Sequence, residues 1–266
     1  MALPLVLAPL VNARTGFSIA GETEGMEFTT GGSPTSSWPV TRALLYRSEF
    51  GEPERFSGSI SFADSVHVRV ERVALGSVRV RAEAARTGAP VGTLRNEADQ
   101  VVATLLAPVW VEVDSIEARA RAGETVVVPF TGRAELGGGP GHETGPRVPL
   151  LRSGAVRMIG VSLVVRRGFE AGAMPLEPGD QVRVPAPDAI SSGYVVADDR
   201  PALNAVIRVR ARTLHVERLG GSQGYSMSVS LFDVLRNDPV VSSLWTLLVF
   251  WFGILTFLNR PKPEAR

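Results

Sequence analysis

The chain has 266 residues, and its 28 Lys and Arg against 27 Asp and Glu give a net charge of +1, which provides no general attraction for nucleic acid. Cysteine is absent, and this excludes disulfides, thiolate metal sites, iron–sulfur clusters and cysteine nucleophiles. The 27 Gly and 19 Pro indicate many turns and short elements, as in β-rich proteins.

The first residues, 1–15, form an apolar segment that begins MALPLVLAPLVNA and is interrupted by Pro4 and Pro9. The segment is too short to cross a bilayer as a helix by itself. Its composition resembles the apolar part of a signal peptide, but it lacks a Lys/Arg-rich leader. Three interpretations stay open: a degenerate signal, the remnant of a membrane helix, or an apolar strand.

Residues 16–235 form the body of the protein, in which apolar and polar residues repeatedly alternate. This period of two is typical of strands with one buried face. The pattern predicts a hairpin and several further strands, at 66–71 with 77–84, 100–114, 124–130, 154–166, 205–217 and 225–231. Short helices are predicted at 117–122 and 228–236. We therefore expect a mainly β body of roughly ten to thirteen strands, as a sandwich or a barrel.

A Gly- and Pro-rich loop at 136–149 is the clearest interruption of the body, and it contains the run GGGPG. Such a run does not pair as a central strand, so it predicts an exposed connection. The body is therefore either one β domain or two halves divided by this loop.

The strand predicted at 205–217 places Arg208, Arg210 and Arg212 on one face. Three guanidinium groups in a row are a candidate site for phosphate or lipid headgroups. The alternative is that they are solvated and face glutamates of a neighbouring strand. No aromatic residue interleaves with them, so a nucleic-acid surface is not predicted. The apolar phase changes before Leu214, which predicts a β-bulge near Thr213.

No motif in the sequence predicts a catalytic, cofactor or metal site. A nucleophile elbow, a P-loop and a dinucleotide-binding motif are all missing. The three histidines, which lie at His67, His142 and His215, have no local partners at metal-ligand spacing. We therefore expect no cofactor and no enzymatic activity. A hydrolase of envelope polymers that uses dispersed carboxylates, such as Glu143, Asp198 or Asp199, is the alternative.

Residues 170–184 contain the turn sequence Pro178-Gly179-Asp180, after which a strand with Val182 and Val184 is expected at once. With Glu170 and Leu176 before the turn, and a membrane helix behind the β body, the chain over 16–258 resembles the GIDE-type membrane domain. That domain occurs in mitochondrial membrane-anchored ubiquitin ligases and in shorter prokaryotic relatives. The resemblance implies a β domain beside membrane helices. The segment 58–146 has no counterpart there, and without cysteine no RING and no ligase activity are implied.

Residues 240–258 are nineteen consecutive residues without a charge. As a helix they would be roughly 28 Å long, which matches the hydrocarbon thickness of a bilayer, so the sequence predicts a single transmembrane helix. Small or β-branched residues recur on one face of this helix, at Ser242, Thr246, Val249, Gly253 and Thr256. This stripe predicts packing against a transmembrane helix of another protein or of a second copy. Alternatively, its hydroxyls bond back to their own helix and the stripe faces lipid.

The charges beside the predicted span indicate its orientation. Residues 259–266 carry Arg260, Lys262 and Arg266, whereas 233–238 carry one positive charge. The positive-inside rule therefore places the tail in the cytoplasm and the body outside, unless the N-terminal segment is inert and the protein is tail-anchored. We expect a membrane-anchored scaffold or an accessory subunit of an envelope complex, with membrane lipid as a partner. A headgroup-binding module is an alternative.

Overall fold

The computed structural model describes residues 16–31, 37–48, 51–73, 76–137, 151–162, 167–183, 190–218 and 224–258. Seventeen strands and three helices lie in these ranges. The strands are β1 Gly16–Thr23, β2 Gly25–Thr30, β3 Ser37–Tyr46, β4 Glu54–Phe62, β5 Val66–Val73, β6 Ser77–Ala84, β7 Gly92–Arg95, β8 Val101–Leu105, β9 Val109–Val113, β10 Val126–Leu136, β11 Leu151–Val161, β12 Gly168–Leu176, β13 Asp180–Arg183, β14 Ser191–Ala197, β15 Leu203–Val209, β16 Leu214–Arg218 and β17 Tyr225–Met227. The helices are α1 Ile116–Arg121, α2 Leu231–Asn237 and α3 Pro239–Leu258.

A mainly β body with one long C-terminal helix is therefore confirmed, and its strands pair antiparallel. One series of strands runs from β11 to β10: β1 pairs with β11 and β15, β15 with β14, and β14 with β10. The end of β10 pairs with β13, which follows β12 after a tight turn, and β12 pairs with β11. Because the turn from β12 to β13 returns the chain to β10, this series of strands curves back on itself, and we call it the barrel.

A second group of strands pairs in the order β2-β5-β6-β9-β3-β4-β7-β8. This second group is joined to the barrel in two ways, by a chain connection and by a strand pairing. β2 follows β1 after Glu24, and the second half of β10 pairs with β2 from Gly132 to Leu136. The division of the body at 136–149 stays a prediction, because residues 138–150 lie outside the described part of the chain.

The alternating pattern produces a continuous apolar core, since inward-facing residues of both groups belong to one cluster. Phe28 of β2 and Phe130 of β10 mark the place where the groups meet. Their rings stack with centroids 4.8 Å apart and planes 23° apart. Both side chains are buried, so burial of apolar area and aromatic stacking stabilise this contact together.

Two predicted strands are wrong in their extent. Residues 205–217 do not form one bulged strand: β15 ends at Val209 and β16 begins at Leu214. β15 pairs with β1 and β14, whereas β16 pairs with β13 and β17, so the phase change before Leu214 marks a new strand. The strand predicted at 225–231 ends at Met227, and Leu231 already begins α2.

Candidate membrane-facing site

Helix α3 is long and apolar enough to cross a membrane. It has 20 residues, carries no charge, and none of its candidate span Pro239–Phe257 is buried against the body. Large apolar side chains such as Trp245 and Phe257 are about 70% exposed, at 68% and 71%. In water this surface would be costly, whereas lipid is a suitable solvent for it. The helix agrees with the predicted span 240–258 and supports a single-pass membrane protein.

Helix α2 packs on β12 and fixes the body beside the start of α3. Its first turn is capped reciprocally, since the Ser230 amide donates to Asp233 Oδ2 at 2.9 Å and the Asp233 amide donates to Ser230 Oγ at 3.1 Å. Near its end, Asn237 Nδ2 donates to the Ala171 carbonyl of β12 at 2.6 Å. Ala171 also belongs to a small apolar cluster with Val229, which holds the chain before α2 against the barrel.

Asp238 joins α2 directly to α3. Its side chain is fully buried, and Oδ1 accepts the Val240 amide at 2.9 Å, so it caps the N-terminus of α3. Pro239 follows at the first helical position, where its missing N–H has no cost. The apolar helix therefore begins two residues after Asn237, which is bonded to β12, without a linker that would let the body rotate freely.

The barrel surface beside this junction carries two rows of outward-facing residues. In the first row, Ser18 of β1 pairs with Arg157 of β11 on one side and with Arg208 of β15 on the other. In the second row, Gly16 pairs with Ile159, and Arg210 follows β15 at the same level. A cavity of about 430 Å³ opens here and is lined by residues from four barrel strands and their ends, among them Gly16, Ile159, Ile190, Ser192, Arg208 and Arg210.

The arginines at this end of the barrel differ in charge balance from those at the other end. Among the described residues, Arg157, Arg208 and Arg210 have no carboxylate within ion-pair distance. At the opposite end, by contrast, Arg152 lies 2.9 Å from Glu24 and Arg200 lies 3.5 Å from Glu22. One exposed carboxylate, Glu170 of β12, lies beside Ile159 in the second row. Among the described residues, the two rows near α3 therefore carry a net positive charge.

The structure brings together two of the three predicted arginines. Arg208 and Arg210 line the cavity, whereas Arg212 lies in the connection 210–213 that leads to β16 and is not among the cavity residues. All three side chains are exposed. Ile159 and Ile190, 38% and 52% exposed, complete the surface with apolar groups that the sequence pattern did not single out.

The stripe on α3 is exposed along its length, and two of its hydroxyls, those of Thr246 and Thr256, bond within the helix. Thr246 Oγ1 donates to the Ser242 carbonyl at 2.9 Å, and Thr256 Oγ1 donates to the Phe252 carbonyl at 2.7 Å. A Cβ at Gly253 would meet no atom within 4 Å, so the surface there is flat and open. Both interpretations of the stripe, helix packing and lipid contact, stay predictions.

Three of the polar residues considered for catalysis or metal binding have structural partners: His67, His215 and Asp198. His67 Nε2 lies 3.6 Å from a carboxylate oxygen of Glu27, and the hydrogen bond that the imidazole donates to this carboxylate raises the pKa of His67 against the opposing effect of burial. His215 Nδ1 lies 2.8 Å from Ser226 Oγ. Asp198 Oδ1 accepts the Arg200 amide at 2.9 Å and so stabilises a turn. Within the described ranges no three His, Asp or Glu side chains form a metal-binding group; residues 142 and 143 lie outside them.

An ion pair between a buried carboxylate and a half-exposed arginine at the Pro-Gly-Asp turn was missed at the sequence level. As predicted, β13 begins immediately at Asp180, but this side chain is only 1% exposed. Asp180 Oδ2 accepts the Glu177 amide at 2.9 Å, and Arg218 Nε donates to Oδ1 at 3.2 Å. Its negative charge and burial raise the pKa of Tyr225, burial being the larger cause. The cluster ties β13 to β16 and is a structural clamp.

Comparison with known proteins yields no match: no protein family, no curated protein and no solved structure is similar to this chain. The resemblance to the GIDE-type membrane domain therefore stays a prediction. The functional argument depends on the geometry of the body and of its junction with α3.

Proposed function

We propose that this protein is a non-enzymatic, membrane-anchored β module that serves as a scaffold or accessory subunit of a membrane complex. The observation that carries this proposal is the fixed junction at Asn237 and Asp238. A protein that needs only to be retained at a membrane can use a flexible linker. A junction without a linker instead holds the body in one orientation relative to the bilayer, which is what assembly with a neighbouring membrane protein requires.

Helix α3 is the proposed contact with that neighbour. Its stripe of small residues allows another helix to approach closely, and Gly253 is the flattest point of the stripe. Because the hydroxyls of Thr246 and Thr256 are already bonded within α3, the attraction would come from close packing. The partner is a helix of another protein or α3 of a second copy.

The test is affinity purification of the full chain from membranes in mild detergent. Gly253→Leu should strongly reduce the amount of co-purified partner or of homodimer, because the added side chain holds the helices apart. Phe252→Leu, one residue away and off the stripe, is the matched control and should leave recovery unchanged. Both variants should insert into membranes as the parent does. Equal recovery with Gly253→Leu would show that the stripe faces lipid, and a pure monomer with hydrolytic activity would refute the proposal.

We place the body outside the cytoplasm and the tail inside, following the charges of residues 259–266. The chain has no cysteine, so one introduced thiol reports one position. In intact cells, a membrane-impermeant maleimide should label Thr87→Cys, which lies in an exposed turn of the body. It should label Ala265→Cys only after permeabilisation. The reverse pattern would mean that the body faces the cytoplasm.

A further inference from the structure

We infer that the barrel end beside α3 binds anionic phospholipid headgroups of the same membrane that α3 enters. This inference rests on the proposed membrane anchoring. The headgroup surface consists of Arg157, Arg208 and Arg210, with Ser192 and the apolar residues Ile159 and Ile190.

Position is the first argument for this assignment. Asn237 is bonded to Ala171 of β12, and Ala171 lies at the register shift between the two rows of the headgroup surface. From β12 to β15 there are three strand spacings, or about 14 Å. The headgroup surface is therefore close to the point where the chain enters the apolar helix, and the fixed junction at Asp238 keeps it there.

Chemistry is the second argument. Arg208 and Arg210 are exposed and have no carboxylate partner in the described part of the chain, and a free guanidinium binds phosphate through two parallel N–H donors. Glu170 offsets one positive charge of three in the two rows. The exposed Ile159 and Ile190 lie beside the arginines. This mixture of cationic and apolar groups suits the boundary between headgroups and acyl chains.

The contrast with the far end of the barrel is the third argument. There Arg152 and Arg200 are neutralised by glutamates at 2.9 and 3.5 Å. Within the ranges that the structure describes, arginines are thus paired where the barrel points away from α3 and have no carboxylate partner where it lies beside α3. Charge complementarity with anionic lipid accounts for this difference.

The test uses the full chain in lipid nanodiscs, with an environment-sensitive fluorophore on Ser192→Cys. Nanodiscs of phosphatidylcholine alone are compared with nanodiscs in which about one third of the lipid is phosphatidylglycerol, and both contain a trace of headgroup-labelled quencher lipid. We expect at least twofold more quenching in the anionic discs. The combined substitution Arg208→Gln and Arg210→Gln should return quenching to the level of the neutral discs, because the phosphate contacts are gone.

Three controls make the outcome decisive. Arg152→Gln removes an arginine from the far end and should leave quenching unchanged. When the fluorophore is moved to Thr87→Cys, its signal should not respond to lipid charge. An unchanged melting temperature of the doubly substituted chain shows that the body is folded. Equal quenching in both discs, or quenching that survives the double substitution, would overturn the inference. Failure of the chain to co-elute with discs would instead refute the membrane anchoring itself.

Discussion

Gly132 is the point where β10 leaves β14 and begins to pair with β2, so it joins the barrel to the second strand group. Its φ is 149°, a value that residues with a side chain rarely adopt. A Cβ at this position would lie 2.0 Å from the Thr29 carbonyl oxygen, whereas a close C···O contact between strands is about 3.3 Å. An alanine therefore forces β2 and β10 apart by more than about 1 Å, or forces Gly132 out of its conformation.

We expect Gly132→Ala to lower the free energy of unfolding by about 2–5 kcal/mol. Backbone strain contributes about 1–3 kcal/mol, and each interstrand hydrogen bond lost near Thr30 contributes about 1 kcal/mol. For a chain of this size the melting temperature should fall by roughly 5–20 °C, measured by far-UV circular dichroism of the detergent-solubilised protein. Gly31→Ala is the matched control: no atom lies within 4 Å of its Cβ, and its effect should stay within about 0.5 kcal/mol. If Gly132→Ala costs less than about 1 kcal/mol, β10 and β2 do not approach as closely as described, and the joining of the strand groups is wrong.

Two further predictions concern the junction and a histidine. Asp238→Ala should destabilise the first turn of α3 by about 1 kcal/mol, seen as faster hydrogen exchange of the Val240 amide, whereas Asp238→Asn keeps the acceptor and most of the protection. The hydrogen bond that His67 donates to Glu27 raises the pKa of His67 above its ordinary value of 6.5. The stability that this pair provides is therefore present below pH 6.5 and is lost as the pH rises through the raised pKa. Glu27→Gln should return the His67 pKa toward the ordinary value in an NMR titration, and an unchanged His67 pKa would contradict the contact. Because the His67 side chain is 50% exposed, the accompanying change in the free energy of unfolding will be small.

Features that depend on neighbouring residues could be predicted from the sequence. The hairpin of β5 and β6 follows from clean alternation on both sides of a short link, and its register pairs Val66 with Ala84 through to Val73 with Ser77. The short helix α1 and the long apolar helix α3 are confirmed close to their predicted bounds. In each case the signal lies in residues that are also neighbours in the fold.

Strands whose partners are distant in the sequence gave weaker signals. The predicted ten to thirteen strands are fewer than the seventeen observed, because strands such as β4, with Ser and Gly throughout, alternate poorly. β1 obtains its two partners, β11 and β15, from the far half of the chain. No local pattern identifies such a pairing, so the barrel that creates the headgroup surface could not be derived from the sequence.

The candidate site shows the same limit. Arginines at 208, 210 and 212 alternate as on one strand face, but the chain leaves the barrel after Val209, which separates Arg212 from the other two. Ile159 and Ile190 reach the same surface from β11 and from the start of β14. Asp180 had a local signal as a turn residue, whereas its partner Arg218 lies 38 residues away and only folding brings it close.

The distribution of charge becomes informative only together with the fixed junction. A net charge of +1 describes a chain without preference for anionic surfaces. Folding nevertheless pairs Arg152 and Arg200 at one end of the barrel, whereas Arg208 and Arg210 at the other end have no carboxylate partner among the described residues. Two arginines bind a bilayer weakly by themselves. Helix α3 removes this difficulty, because an inserted anchor without a linker holds the headgroup surface at the membrane at high effective concentration. A weak contact with lipid then suffices to orient the body, and a body in one orientation presents the same face to any neighbour that α3 meets.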